Sequence, residues 1–187
     1  GKIGHGGFTR ENKIQRWNVF KNAHFALIVQ CNTAVSLVLL KAGVSARQHN
    51  SLGQTGLHFA GMNGNVELIC IFIAFGLSVE STDYAGNTVL HYAASNRRKE
   101  AFHYLVWKGA NPNRPNSDGI SPLFLALNNG LVKEGEELKM NDDCASEIES
   151  TVREITHNPK FDSLVRLKKG FKLNEKIFGA LSKTFNL

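Results

Sequence analysis

The sequence predicts an all-α solenoid in which helix-turn-helix pairs, joined by hairpin loops, stack side by side. Glycine recurs every 33 residues, at Gly53, Gly86 and Gly119. A leucine and an alanine three positions apart recur with the same step, and a second glycine closes each unit. These positions are Leu57, Leu90 and Leu123; Ala60, Ala93 and Ala126; and Gly43, Gly76 and Gly109. A period of this length is typical of proteins whose units bury their apolar faces by stacking.

Each unit begins with residues that favour a tight turn followed by a helix. Asp83 precedes Gly86 by three residues, a combination typical of a turn at a hairpin tip. Thr88 then precedes an apolar segment and can cap the first helix by accepting a hydrogen bond from a free backbone N–H group. The corresponding turn residues are Asn50 and Asn116, and the corresponding caps are Thr55 and Ser121.

A second apolar segment and a glycine complete each unit. Residues 66–73 and 101–106 carry apolar side chains that predict the second helix of two successive units. Gly76 and Gly109 follow these segments and fit the left-handed conformation that commonly ends a helix. Both faces of each helix pair are therefore apolar, so each unit must pack on its neighbours.

The shared motif is clearest in three copies, which read Asn50-SLGQTGLHFA, Asp83-YAGNTVLHYA and Asn116-SDGISPLFLA. It resembles the ankyrin-repeat family, whose motif is D-x-x-G-x-T-P-L-H-x-A followed by a second helix and G-A. The resemblance covers residues 17–130 and 159–174. It implies an ankyrin-repeat solenoid of about four repeats between an N-terminal lead-in and a C-terminal capping helix. The expected bounds are 1–16 for the lead-in, 17–49, 50–82, 83–115 and 116–174 for the repeats, and 175–187 for the cap.

Two copies depart from the motif. The first reads Asn22-AHFALI where Thr-Pro-Leu-His is expected, as is common in terminal repeats that face water on one side. In the third copy Arg97 occupies the turn between the helices, where the family has glycine, so we expect a distorted turn. The basic triplet Arg97, Arg98 and Lys99 is expected to be exposed to solvent.

The fourth copy contains an acidic insertion at about residues 131–158. Gly130 to Gly170 spans 40 residues, whereas the same two positions in the second copy span 12. Ile148, Val152 and Ile155 lie at helical spacing and predict a short extra helix with flexible flanks. One hypothesis is that the insertion folds back over the basic C-terminal helix as an internal cover. The apolar residues that predict this final helix are Ile177, Phe178, Leu181 and Phe185.

Composition and motifs exclude several classes of protein. The longest apolar run, Leu68 to Phe75, is too short to cross a bilayer, which needs roughly twenty residues. Residues 1–7 have no signal-peptide pattern, and the absence of an initiator Met suggests a processed or trimmed fragment. We find no motif for a nucleophile, a phosphate-binding loop or a metal site, so we expect no enzymatic activity and no cofactor. The cysteines lack metal-ligand spacing and indicate reduced thiols in the cytoplasm or nucleus. They are Cys31, Cys70 and Cys144.

His58 and His91, at the T-x-L-H position, are interpreted as structural. They have no matching carboxylate or cysteine, and the fourth copy has Phe124 in their place, which argues against a metal site. The resemblance implies that each histidine braces the neighbouring loop and the threonine three residues earlier, Thr55 or Thr88.

The resemblance also implies a non-catalytic interaction module, an adaptor or an inhibitor, that holds a protein or peptide at its hairpin tips and concave groove. The tip positions are Ser51, Leu52, Gln54, Tyr84, Ala85, Asn87, Ser117, Asp118 and Ile120, and the groove positions are Met62, Asn63, Ser95, Asn96, Asn128 and Asn129. Leu52, Tyr84 and Ile120 have side chains suited to interface anchors. A further alternative is that this module is the targeting part of a larger protein with which a pathogen or virus mimics host ankyrin regulators.

One groove position is occupied by an amide in every copy: Gln30, Asn63, Asn96 and Asn129. Stacked along the groove, these amides could bind an extended peptide. Alternatively each amide ends its own helix, because asparagine before glycine is a common helix terminator. Both interpretations stay open at this point.

The net charge of +6 and the pI near 9.3 support an anionic partner, nucleic acid or an acidic lipid surface, as the alternative function. The positive charge lies mainly at the ends of the chain. Residues 1–50 carry seven basic and one acidic residue, and residues 151–187 carry eight and three. The candidate anion-binding residues are Arg10, Lys13, Arg16 and Lys21 at one end and Arg166, Lys168, Lys169 and Lys172 at the other.

Overall fold

A computed structural model describes residues 32–159 of the chain. Within this range there are seven helices and no β-strand, although two isolated antiparallel bridges join His49 to Thr55 and Thr82 to Thr88. None of the described helices is long and apolar enough to cross a membrane. The helices are α1 Thr33–Lys41, α2 Gly56–Asn63, α3 Val66–Ala74, α4 Val89–Ser95, α5 Lys99–Trp107, α6 Pro122–Asn128 and α7 Asp142–Thr156.

The helices form a stack of pairs. The first helices of successive repeats, α2, α4 and α6, pack on one another in that order, while α3 packs on α2 and α5 packs on α4. Helix α3 also contacts α1 and α5, so the second helices form a layer of their own. This arrangement confirms the all-α repeat solenoid. The predicted first helix of the first repeat, the second helix of the fourth repeat and the C-terminal cap lie outside the described residues.

The core runs continuously between the two layers of helices. The repeated Leu57 and Leu90 are fully buried, and burying a leucine stabilises the fold by about 1.5–3 kcal/mol. Close approach of the first helices needs small side chains. A Cβ atom on Gly61 of α2 would lie 2.4 Å from Cγ2 of Val89 in α4, so only glycine fits that contact. The largest fully buried side chains on the second helices are Phe72, Phe102 and Tyr104.

The turn at Arg97 corrects one expectation. Arg97 has a φ of 56°, close to the values of 76° and 64° at Gly64 and Gly130, which occupy the same position in the neighbouring repeats. The turn is therefore the regular one, formed by a residue with a side chain instead of glycine. Arg97, Arg98 and Lys99 are exposed as expected, although Arg98 donates through Nε to the Met62 carbonyl oxygen at 3.0 Å.

Replacing Arg97 with glycine is expected to raise the free energy of unfolding by about 1 kcal/mol, because the left-handed conformation disfavours residues with a Cβ atom. Equilibrium unfolding in urea would measure the gain. The control is Arg97→Ala, which removes the guanidinium but keeps the Cβ atom, and which should give no gain. Equal stabilisation by both variants would mean that charge, and not backbone strain, is responsible.

The insertion forms a longer helix than expected and packs on the second helices. Helix α7 has 15 residues, and its apolar side contacts α3. Ala145 and Val152 on that side are buried, and Ile148 and Ile155 are partly buried against the core. The hypothesis that the insertion covers the C-terminal helix involves residues outside the described range. The described contacts instead place α7 over the second and third repeats.

Polar contacts fix the insertion along the outer layer. The Trp107 Nε1–H group donates to Oδ1 of Asp142 at 2.7 Å, at the start of α7. Lys108 forms an ion pair with Glu149, in the middle of the same helix. The preceding flank, which we expected to be flexible, makes defined contacts: Lys99 pairs with Glu136, and the Met140 N–H donates to the His103 carbonyl oxygen at 3.2 Å.

Candidate partner-binding surface

The hairpin tips form a continuous row. The Tyr84 N–H donates to the Leu52 carbonyl oxygen at 3.0 Å, and the Ser117 N–H donates to the Ala85 carbonyl oxygen at 3.0 Å. Three successive tips are thus joined by backbone hydrogen bonds. We call Ser51, Leu52, Tyr84, Ala85, Ser117 and Asp118 the tip row.

Two apolar or aromatic side chains of the tip row are highly exposed. Leu52 is 59% exposed and Tyr84 is 70% exposed. The Tyr84 ring is nevertheless held in position, because it packs directly on Gly53. A Cβ atom on Gly53 would come within 2.6 Å of Cδ1 of the ring. The same ring meets His49 edge to face, with ring centroids 5.8 Å apart. An exposed aromatic ring held in one position loses little conformational entropy when a partner packs on it.

The first residue of each hairpin closes its loop. Oδ1 of Asp83 accepts from the N–H groups of Ala85 at 2.9 Å and Asn87 at 2.8 Å. Asn50 and Asn116 accept two equivalent backbone hydrogen bonds each, all at 3.0 Å. These are Asx turns, which explain why only aspartate and asparagine occur at this position.

The two histidines connect each repeat to the next hairpin. Nδ1 of His91 accepts from the Thr88 N–H at 3.0 Å, so its Nε2 carries the proton and donates to the Ile120 carbonyl oxygen at 3.0 Å. His58 makes the same pair of contacts one repeat earlier, with the Thr55 N–H at 3.0 Å and the Ser81 carbonyl oxygen at 3.2 Å. Burial lowers the pKa of both histidines, so the neutral form that these hydrogen bonds require is favoured.

A partly buried series of hydrogen bonds crosses from the second repeat to the third beneath the tips. Nε2 of Gln54 donates to the Tyr92 hydroxyl at 2.6 Å, and this hydroxyl donates to Oδ2 of Asp83 at 2.6 Å. Burial by itself raises the pKa of Asp83, but hydrogen bonds from Tyr92, Asn87 and Ala85 outweigh it and lower the pKa. Asp83 is therefore a buried, fully hydrogen-bonded carboxylate.

Hydrogen bonds within the protein change the role assigned to Gln54 and Asn87, which were predicted to contact a partner. Gln54 is only 9% exposed, and both ends of its amide bond to other residues of the chain, because Asn50 donates to its Oε1 at 2.7 Å. Asn87 donates to Asp83 at 3.2 Å and accepts from Asn116 at 2.8 Å. Gln54 thus joins its hairpin to α4, and Asn87 joins its hairpin to the next one, so both side chains support the tips and are not available as tip contacts.

Ile120 is also less exposed than expected. Its side chain is half-buried, and its backbone carbonyl oxygen accepts the hydrogen bond from His91. Asp118, beside it in the tip row, is exposed. Tyr92, which follows His91 and joins Gln54 to Asp83, was not among the residues predicted from the sequence. An aromatic residue at that position, with an aspartate nine residues earlier, was the available signal.

The groove amides mostly cap their own helices. Nδ2 of Asn63 donates to the Phe59 carbonyl oxygen at 3.1 Å, and Nδ2 of Asn96 donates to the Tyr92 carbonyl oxygen at 2.9 Å. Asn129 instead reaches the previous repeat and donates to the Ala94 carbonyl oxygen at 3.2 Å. The geometry favours the capping interpretation over a ladder for peptide binding. Gln30 lies outside the described residues.

The other groove positions remain accessible to a partner. Ser95 and Asn128 are exposed, and Met62 is half-buried. Among all the predicted tip and groove positions, Asp118 is the only charged residue. The predicted positions therefore combine uncharged polar residues with apolar ones and carry almost no charge, although the whole chain has a net charge of +6.

The described residues hold no group of three His, Cys, Asp or Glu side chains that could bind a metal ion. Cys70 is buried and Cys144 is exposed, and both are free thiols. The candidate anion-binding residues at both ends lie outside residues 32–159.

A protein-family model matches the part of the chain in which the repeated motif was found. Residues 24–116 match the family model described as ankyrin repeats, three copies. The match includes most of the first expected repeat and all of the second and third. No curated protein matches the chain at a significant level.

Proposed function

This chain is an ankyrin-repeat protein, and we propose that it is a non-catalytic module that binds a protein or peptide through its tip row and concave groove. Ankyrin repeats are generally protein–protein interaction modules. The observation that carries the proposal is the exposure of Leu52 and Tyr84 on adjacent tips whose backbones are hydrogen-bonded to each other. Large apolar and aromatic side chains on a preorganised surface are typical anchors of protein interfaces.

The position of the insertion supports this choice of surface. Helix α7 packs on α3 and bonds to the end of α5, both of which are second helices. The tips and the first helices α2, α4 and α6 form the other side of the stack. Of the predicted contacts, we therefore retain the half-buried Met62 and six exposed residues: Leu52, Tyr84, Asp118, Asn63, Ser95 and Asn96. Gln54, Asn87, Ile120 and Asn129 contribute by holding neighbouring repeats in register.

We also propose an intracellular location, in the cytoplasm or nucleus. Cys70 and Cys144 are both free thiols, as expected in a reducing compartment, and this supports the location.

The test compares interacting proteins recovered with the intact chain and with a Leu52→Ala/Tyr84→Ala variant. We expect partners retained by the intact chain to be lost or reduced at least tenfold with this variant. Phe75→Ala is the matched control, because Phe75 is an exposed apolar residue (38% exposed) at the end of α3, away from the tips. Recovery of the same partners in the same amounts with all three proteins would show that the tip row is not the interface.

A further inference from the structure

A cavity of about 220 Å³ lies between α3 and α7, the helix of the insertion. Helix α3 contributes Cys70 and Ile73 to its wall, and α7 contributes Glu149, Val152 and Arg153. Sites for drug-sized ligands usually measure about 300–1,000 Å³, so this cavity fits a smaller molecule. Because it lies between two packed helices, a segment of another protein could not enter it without displacing α7.

The hydroxyl of Tyr104, on α5, is buried beside this cavity and makes no hydrogen bond with any described residue. Tyr104 is 0% exposed, and its ring is held against that of Trp107, with ring centroids 5.8 Å apart. Burial raises the pKa of Tyr104, and the nearby Cys70 and Glu149 raise it further, but neither accepts a hydrogen bond from the hydroxyl. Since both of these residues line the cavity, the hydroxyl borders it.

The packing of the repeats does not require this hydroxyl. Ile71 occupies the same position 33 residues earlier and is also fully buried, so an apolar side chain is sufficient there. A buried hydroxyl without a partner costs free energy, because it gives up its hydrogen bonds to water. The Tyr104 hydroxyl is therefore an unused donor at the cavity, and a bound molecule with an acceptor atom would satisfy it.

The charged groups of the wall favour an anion. Lys108, just after α5, also lines the cavity and forms an ion pair with Glu149, so these two charges offset each other. Arg153 is exposed and takes part in none of the ion pairs between described residues, which leaves one positive charge unbalanced. Hydrogen-bond donors thus outnumber free acceptors, while Ile73 and Val152 provide apolar surface.

We propose that this cavity binds a small carboxylate with an apolar tail. The carboxylate accepts hydrogen bonds from the Tyr104 hydroxyl and the Arg153 guanidinium, and the tail packs between Ile73 and Val152. A carboxylate suits one unbalanced positive charge better than a phosphate group, which carries about two negative charges. The ligand contacts both α3 and α7, so it holds the insertion against the second helices and leaves the tip row untouched.

The test titrates the full chain with hexanoate and follows the backbone amide signals by NMR. We expect the signals of residues 70–74 and 149–156 to shift, with a dissociation constant on the order of 1 mM for so small a ligand. Tyr104→Phe should weaken hexanoate binding at least tenfold. The urea midpoint of the free Tyr104→Phe variant should stay the same or rise, because the variant no longer buries an unpaired hydroxyl.

A neutral analogue and a matched variant test the role of charge. Hexanol should bind at least fivefold more weakly than hexanoate, and Arg153→Gln should remove this difference. The control is Lys139→Gln, which removes a positive charge from an exposed residue of the insertion that does not line this cavity. It should leave hexanoate binding unchanged.

Hydrogen exchange gives an independent measurement. At ten times its dissociation constant, hexanoate should slow the exchange of residues 142–156 about tenfold, because α7 must release the ligand before it opens.

Three results would overturn the proposal. The first is that hexanoate shifts no signals of the residues that line the cavity. The second is equal affinity of the unmodified chain and Tyr104→Phe for hexanoate, which would show that the buried hydroxyl is not part of a binding site. The third is equal affinity for hexanoate and hexanol, because the cavity would then select apolar molecules without regard to charge.

Discussion

Replacement of His91 by alanine is expected to lower the free energy of unfolding by about 3 kcal/mol. The variant loses the hydrogen bonds to the Thr88 N–H and the Ile120 carbonyl oxygen. It therefore leaves one buried and one partly buried backbone group without these partners, and an unpaired buried group costs about 1–3 kcal/mol. His91 itself is only 2% exposed, so water does not easily replace the imidazole. Equilibrium unfolding in urea would measure the loss.

The same histidines predict how stability depends on pH. Burial lowers the pKa of His58 and His91 below the ordinary value of 6.5, so the unfolded chain binds protons more readily than the folded chain just below that pH. The contribution of these histidines to the free energy of unfolding is therefore fully present above about pH 6.5. It falls as the pH decreases toward the lowered pKa values. Burial, followed by the charge of Lys99, lowers the pKa of His103, which adds to the effect in the same direction.

The control for both experiments is His157→Ala, which removes an exposed histidine at the end of α7. It should leave the urea midpoint within error of the unmodified chain. His91→Ala should also flatten the pH dependence of stability below about pH 6.5. A His91→Ala variant that kept the full pH dependence would show that the histidine connections between repeats are not its source.

Replacement of Val152 by aspartate is expected to detach α7 from the repeats, with a loss of about 3 kcal/mol in the free energy of unfolding. Val152 is 3% exposed on the side of α7 that faces α3, and a carboxylate in this position must either be buried without a partner or pull the helix into water. Hydrogen exchange should show faster exchange at residues 142–156, while the amides of α2 and α4 stay protected.

The matched control is Thr151→Asp, one residue earlier on the exposed side of α7. It adds the same carboxylate to the same helix, so it accounts for changes in charge and helix propensity. We expect a change of no more than about 0.5 kcal/mol. Equal losses from the two variants would contradict the docking of α7 through Val152.

Binding through the tip row should survive the detachment of α7, because the insertion packs on the second helices. The Leu52→Ala/Tyr84→Ala variant should show the opposite pattern: weaker binding with little change in stability. These two variants together separate the stabilising role of the insertion from the binding role proposed for the tips.

The sequence alone predicted the repeat unit because the interactions that define it are local. The Asp83 carboxylate bonds to N–H groups two and four residues later, and Thr88 pairs with the histidine three residues later. Residue types that favour such contacts can be recognised within a few positions of one another. The 33-residue spacing then repeats the same local pattern, and mutual burial of the apolar helix faces requires the repeats to stack.

Contacts between distant segments were decided only by the tertiary structure. The hydrogen bond from Gln54 to Tyr92 joins residues 38 positions apart and withdraws a predicted contact residue from the surface. The pair of Lys108 and Glu149 joins residues 41 positions apart and helps to place the insertion on α3 and α5. A helical pattern shows that α7 has an apolar side, but many apolar surfaces compete for it, and only packing of the complete chain selects one of them.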